Sequence, residues 1–533
     1  MNERRTFWWK VAYIVAIAIL IVPLHALSLP ATKDSPGGIL AQLRTENGLA
    51  EANLGEIDAS AETVKLATLG LRGVAVNILW EKANYYKKVE DWTSFGAVLE
   101  QIANLQPHFF TVWDYQAHNL TYNTSVEFDD YKDRYDWVIK GINFLKKGKA
   151  LNTNPRDPRF TEPRITSRIG WFIAQKIGRA DEHRQFRRLF KEDDQFHDAD
   201  NPNRKREDRD NWLVGFEYYK RAWNEVTTGA PLRTTPVIFY SQPMMALIYY
   251  ADALESDSTA GEQPHFGQVA QQAWKNAGRE LAEFGRKDIP SPYGEFIHLD
   301  ALEDLVAKEK IIEDSLKKVM PGEFDKLKTE QHDKLTAEMI EALDMPTEKR
   351  DGGQQTTAFE FWRQVAEKTG ADRRGEALKL AGQFEQTELA ARDIRNSRDI
   401  VNYIYWKTRC DAEPTPAALD AHELTFKAEH EQQEARPNSA RKYYDQAFAA
   451  WRKVLDQFKV LRDDTLMAQD LAELVDHYRD TLRQLAGDEA KFPEPFVLQD
   501  MLDLNERTYG PSQAKTPEKP KATDNAEKPG KGS

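Results

Sequence analysis

From residue 62 onward, apolar side chains recur at spacings of three and four, and few runs alternate with period two. That restricts the body of the chain to helices packed on helices, because a strand needs a two-residue period to present one face. ETVKLATLGLRGVAVNILWEKANYY (62–86) carries the pattern through Leu66, Leu69, Val74, Val76, Ile78, Leu79 and Ala83. WTSFGAVLEQIANLQPHF (92–109) repeats it with Trp92, Phe95, Val98, Leu99, Ile102 and Leu105, and Pro107 ends it. A third pattern, DDYKDRYDWVIKGINFLKKG (129–148), closes at Gly148. Residues 300–345 offer only a narrow stripe, marked by Leu302, Leu305, Ile311, Ile312, Leu316 and Val319, which suits partly solvated helices. A chain of 533 residues exceeds one compact core, so several units or an extended array are expected. Its 13 Trp, 19 Tyr and 25 Phe supply the buried faces that offset a 30% content of charged residues.

The second constraint is VAYIVAIAILIVPLHALSL (11–29), apolar apart from Tyr13, His25 and Ser28. Nineteen helical residues at about 1.5 Å each span roughly the 30 Å of a bilayer core. Trp8 and Trp9 are placed as an interfacial belt, and Lys10 can reach the headgroups. Arg4, Arg5 and Lys10 precede the span, so residues 1–10 are expected in the cytoplasm and the bulk outside it, in the periplasm if the host is bacterial. The alternative is a cleaved signal peptide, since Ala26-Leu27-Ser28 resembles a small-x-small cleavage site. The run is longer than a usual signal core, which favours an uncleaved anchor. No second run reaches eighteen apolar residues, so a multi-span transporter is excluded.

Trp80, Ala83 and Tyr86 on one helix, a second helix ending before Pro107, and Trp113 with Ala117 on a third resemble tetratricopeptide (TPR) repeats. Trp80 and Trp113 lie 33 residues apart, close to the roughly 34-residue unit. YYKRAWNEV (218–226) and YYDQAFAAWRKVLDQF (443–458) share Tyr-Tyr-x-x-Ala, and LAELVDHYRDTLRQL (471–485) would partner the second. The departures are a displaced small residue after Trp80, the 48 residues from Pro107 to Pro155, and charged insertions between repeats. The resemblance is thus to degenerate TPR-like hairpins over about half the chain. A single anchor before an aromatic-rich TPR-like body also resembles exported proteins of Planctomycetes-type bacteria, a likeness that implies no activity. The resemblance implies an all-α, TPR-like helical hairpin array behind a single N-terminal transmembrane helix.

Composition shifts divide the chain further. Residues 30–60 read as a linker, and 61–255 as an N-terminal helical region with a charged loop insertion at 192–210. Residues 256–350 read as a charged helical middle region, with loops at 254–264 and 286–296. RDGGQQT (350–356) reads as a divider before a C-terminal helical region, 357–506. The Lys/Pro-rich tail, 507–533, is expected to be disordered.

Motifs for chemistry are sparse. One cysteine, Cys410, permits neither an intrachain disulfide nor a Cys-x-x-Cys site. His422-Glu423 begins HELTF rather than His-Glu-x-x-His, and the next histidine, His430, is eight residues on. Asp193, Asp194, His197, Asp198 and Asp200 form the densest cation candidate. They lack the glycine and terminal glutamate of an EF-hand, so a solvated acidic loop is the simpler expectation. Phosphate-loop, dinucleotide and Gly-x-Ser-x-Gly motifs do not occur, and LGLRG (69–73) reads as close helix packing. NLT and NTS (119–125) are formal glycosylation sequons, relevant only on surface loops of a glycosylating host. A net charge of -13 without a basic stripe argues against nucleic acid. No catalytic residue, metal ligand or cofactor is therefore assigned.

WDYQAHNLTYN (113–123) remains as the polar feature of interest. On a regular helix Trp113, Ala117, Leu120 and Thr124 share one face, while Asp114 and His118 sit at i and i+4, within reach of one another. Asp114, His118, Tyr122 and Asp129 are the candidate partner-binding residues. The expected function is a membrane-tethered extracytoplasmic scaffold that binds a protein or peptide on a concave helical surface. A ligand-binding receptor or enzyme with a pocket between hairpins, and a structural envelope protein, are the alternatives.

Overall fold

The computed structural model describes residues 2–29, 37–39, 42, 72–89, 91–154, 157–256, 264–291, 296–487 and 490–510. Among them the chain is all-α. Its one strand pair is two residues long on each side, with Ile289 opposite Ile297 and Pro290 opposite Phe296. The linker at 30–60 lies outside the described residues except for 37–39 and 42, as do 257–263 and 292–295 of the two middle loops and 511–533 of the tail. Residues 507–509 complete the last helix, Gln499–Tyr509.

The N-terminal helix, Asn2–Ser28, includes a stretch, Trp8–Leu27, long and apolar enough to cross a membrane, and none of that stretch is buried by the rest of the chain. The chain divides into two compact units, Met1–Pro264 with Asn276–Val401, and His265–Lys275 with Asn402–Ser533. The divisions fall at 264–276 and 401–402 rather than at 255 and 350. The charged middle region does not stand alone: Leu302–Val319 packs along Arg374–Ile400 within the first unit. RDGGQQT is no divider either. Asp351 and Gln354 form a reciprocal capping box that starts Gly352–Lys368, and Arg350 is buried against Glu313 at 2.6 Å.

In the first unit Arg72–Lys88 and Trp92–Leu105 form an antiparallel hairpin. Phe95, Val98, Leu99, Ile102 and Leu105 are buried as their spacing predicts. Residues 62–71 lie outside the described residues. On the helix that follows, Val76, Leu79 and Ala83 face the core, but Val74 and Ile78 are exposed. Those two sit on the flank of a buried face narrower than the apolar spacing predicts. Gly73 has open space where a Cβ would stand, so it is not a close-packing glycine.

Close packing occurs instead at Gly170 and Gly215. A Cβ on Gly215 would lie 2.9 Å from the Ala174 Cβ and 3.2 Å from the Gly170 carbonyl oxygen. Two glycines thus let Pro163–Trp171 and Asn211–Thr227 approach backbone to backbone. Gly215→Val is expected to destabilise this unit by about 2 kcal/mol, since the colliding atoms are backbone and Cβ and cannot rotate away. Urea unfolding would measure it, and an unchanged midpoint would show that the crossing has slack.

The second unit has its own core. Pro416–Gln433 and Pro437–Gln457 pack along each other, joined through Ala435 in the left-handed region at φ 54°. Thr465–Ala486 adds Tyr478, whose ring lies 5.6 Å from Tyr444 and 5.2 Å from Phe448. The helix carrying YYDQAFAAW therefore packs on both the preceding and the following helix.

Candidate functional site

The site grows from the polar stretch at 113–123. Phe110–His118 is α-helical, but Asn119–Thr124 opens into a π-helical turn. The extra residue in that turn rotates the following side chains relative to a regular helix. Trp113 and Ala117 are buried as expected, but Leu120 is half-buried and Asn119 and Thr121 take the inward positions. Thr121 donates to the Ala117 carbonyl at 2.8 Å and packs where Gly141 leaves room. A second π-helical turn, Phe172–Lys176, follows Pro163–Trp171. Both sequon asparagines lie in packed helix rather than a surface loop: Asn119 is buried, and Asn123 donates to its Oδ1 at 3.0 Å.

The two π turns meet through their aromatic groups. The His118 ring stacks on Tyr122 at 4.6 Å, Tyr122 lies 6.0 Å from both Trp171 and Phe172, and the Lys176 ammonium sits 4.5 Å over the Tyr122 ring. Burial, together with the nearby Arg168 and Lys176, holds His118 below its ordinary pKa, with Asp114 opposing. Burial also pushes the Tyr122 hydroxyl up to about 12 and lowers Lys176. At neutral pH the face therefore carries a neutral imidazole and a protonated phenol.

Asp114 does not pair with His118. Its carboxylate accepts from the Arg168 Nε, on the helix Pro163–Trp171. Together they enter a cavity of about 260 Å³, also lined by Phe110, Arg164, Trp171 and Arg233. Arg164 is held by Glu162 through two 2.8 Å contacts and stacks 4.3 Å over Phe110. Arg168 stacks 4.5 Å over Trp171. From Pro236–Ser256, Gln242 accepts from Ser167 at the cavity wall. Asp129 is elsewhere: it is exposed in the bend before Tyr131–Leu151, and it is Asp130 that caps that helix.

Thus Asp114, His118 and Tyr122 are adjacent, while nothing in the structure brings Asp129 to them. Sequence reasoning missed Arg164, Arg168, Trp171 and Arg233. A signal was present for three of them, because PRITSRIGW places Arg164, Ser167, Arg168 and Trp171 at i, i+3, i+4 and i+7 of one helix. Arg233 lies outside any regular element, and no spacing announces it.

The other candidates are structural. The segment 192–210 is not a solvated loop but a folded knot of Asp194–Asp200 and Arg206–Asp208 around buried His197 and Arg204. Asp193 caps a helix, Asp194 and Asp198 face Arg209, and Asp200 faces Arg204 at 2.7 Å and Lys146 at 3.5 Å. Burial pushes the Asp200 carboxyl up, but hydrogen bonds from Tyr218 and Arg204 more than offset it and leave it low. The His197 Nδ1 accepts from Arg204 at 3.0 Å, so its Nε2 is the donor to the Phe190 carbonyl and the ring is neutral. Asp194, Asp198 and Asp200 are thus occupied by the chain's own cations, and Asp193 by a helix cap and the Tyr135 hydroxyl. In the second unit His422 meets Glu413 at 2.8 Å and lies edge-on to Trp451, and His430 stacks on Phe426. Burial pushes the Cys410 thiol up to about 12, the opposite of an activated nucleophile.

No protein-family model matches this chain, and no curated protein or solved structure matches it. The cleft must be understood from its own chemistry.

Proposed function

We propose that the chain is a membrane-tethered helical scaffold whose extracytoplasmic body binds a protein or peptide partner. The observation that carries this reading is the join between the Asp114–His118–Tyr122 face and the aromatic, arginine-lined cleft. Stacked aromatic rings and guanidinium groups are the side chains that dominate recognition surfaces. The helical pairs stack as degenerate TPR-like hairpins, which fits such a face, and Trp8–Leu27 serves as an uncleaved anchor with Arg4, Arg5 and Lys10 on the cytoplasmic side.

The test uses the full chain in its native membrane, with a photocrosslinking residue in place of Thr234 at the cleft wall. Irradiation is expected to give a discrete protein adduct that disappears with Arg168→Glu. Adducts no stronger than in the unirradiated control would sink the scaffold reading. A second reading, a receptor for a small ligand, rests on the same cavity, whose size admits only a compact one.

A further inference from the structure

The geometry points to the cleft as a carboxylate site, taking a carboxylate carried on a flat apolar group such as the C-terminal aromatic residue of a peptide. This rests on the reading of the body as a binding module. The charge count comes first. Three guanidiniums, from Arg164, Arg168 and Arg233, face two carboxylates, Asp114 and Glu162, which leaves one positive charge uncompensated. A monoanion completes that balance, whereas a phosphate dianion would be left with one unmatched charge.

The donors are available as well as charged. Arg168 spends only its Nε on Asp114, so its terminal amino groups remain to meet a second carboxylate in the two-pronged geometry guanidinium favours. Arg233 is 3.7 Å from Glu162, beyond hydrogen-bond length, and its side chain is 63% exposed at the cleft. Ring stacking on Trp171 and Phe110 holds the planes of Arg168 and Arg164 in place, so less rotamer freedom is lost on binding.

Size and lining select the rest of the ligand. About 260 Å³ falls below the 300–1,000 Å³ of typical small-molecule sites, so the cavity suits one anchoring residue better than an extended ligand. Phe110, Trp171, Ile238 and Phe239 supply the apolar walls that a ring would occupy. Ser167 spends its proton on the Gln242 oxygen, so the charged donors of the cleft are the arginines.

The experiment titrates the detergent-solubilised full chain with four probes: N-acetyl-Gly-Gly-Phe as free acid, the same peptide as C-terminal amide, 3-phenylpropanoate, and inorganic phosphate. The two carboxylates are expected to bind competitively, with the amide and phosphate at least tenfold weaker. Arg168→Gln should weaken the acids at least tenfold. Arg233→Gln, at an exposed side chain where folding is not at stake, should weaken them several-fold, and Arg188→Gln, remote from the cleft, should leave them unchanged. Equal binding of acid and amide would overturn the carboxylate inference while leaving the scaffold reading intact. Binding of 3-phenylpropanoate without the peptide would sustain the carboxylate inference and replace the scaffold with a small-ligand receptor. Failure of both acids to bind, or tighter binding of phosphate, would end it.

Discussion

Replacing Trp113 with Ala is expected to destabilise the first unit by about 4 kcal/mol. The indole is wholly buried, lies 4.8 Å from the Phe144 ring, and donates from Nε1 to the Pro107 carbonyl at 2.8 Å. Gly148 has no Cβ because one would stand 2.5 Å from the indole Cδ2, so the opposing helix is shaped to this ring. Alanine would remove the largest apolar surface on its helix, leave a void between rigid neighbours, and take away one of the two donors to the Pro107 carbonyl, which keeps the Asn152 amide at 2.6 Å. Trp113→Phe should recover part of the loss by filling the void without restoring the hydrogen bond. Urea unfolding followed by near-ultraviolet dichroism reads both variants, and a cost below about 1 kcal/mol for alanine would show that the site collapses around the gap. Asp114 is the next residue, so the alanine variant is also expected to loosen the Arg168 contact and with it the cleft.

The second large effect is a dependence on pH written into the core of the same unit. Leu302–Val319 turns Glu309, Ile312, Glu313 and Leu316 inward, so two glutamates share the core face with two apolar residues. Glu313 is neutralised by Arg350 and remains low despite burial. Glu309 is fully buried, lies close enough to Glu388 to feel its charge, and accepts from Gln355 at 2.6 Å. Burial first and the Glu388 charge second push its carboxyl up to about 8, while Arg395 and Arg350 pull the other way. A raised folded-state pKa means that the contribution is intact below the ordinary carboxyl range and is lost as pH rises through about 8. Glu309→Gln keeps the shape and the acceptor for Gln355 without a proton to lose, and removes the charge that faces Glu388. The variant should match the parent near pH 5 and gain on the order of 3 kcal/mol relative to it by pH 9. Parallel stability curves across that range would overturn this account of the pair.

The pair also marks a limit on what periodicity conveys. Ile312 and Leu316 were legible as core, but Ile311 is exposed, and the positions that complete the buried face are glutamates. A hydrophobic stripe cannot announce a buried charge, because the partner that makes it tolerable lies far along the chain: Arg350 for Glu313, and Glu388 and Gln355 for Glu309. The same reason hid the knot at 192–210, where sign alternation looked like a solvated loop. Arg204 and Asp200 find each other within one turn, but Tyr218 and Lys146 complete the set from two other helices. The all-α class and the buried face of Trp92–Leu105 were readable because each depends on local spacing alone. Of the cleft, the sequence offered Asp114 and the stripe from Arg164 to Trp171. It could not offer their meeting, because Asp114 and Arg168 come from two helices 54 residues apart in sequence.

The two π turns carry a consequence for how chains of this kind are aligned. Each adds residue count without adding a full helical repeat, so Asn119–Thr124 and Phe172–Lys176 shift the phase of everything downstream while preserving the direction of the helix. Distance between landmarks counted in residues is then no longer distance counted in turns. Two chains could share every inward-facing contact of this unit and still differ by one position in every gap between aromatic landmarks. The useful ruler is angular: which side chain follows Ala117 onto the core, and by that measure the successor is Thr121, not Leu120.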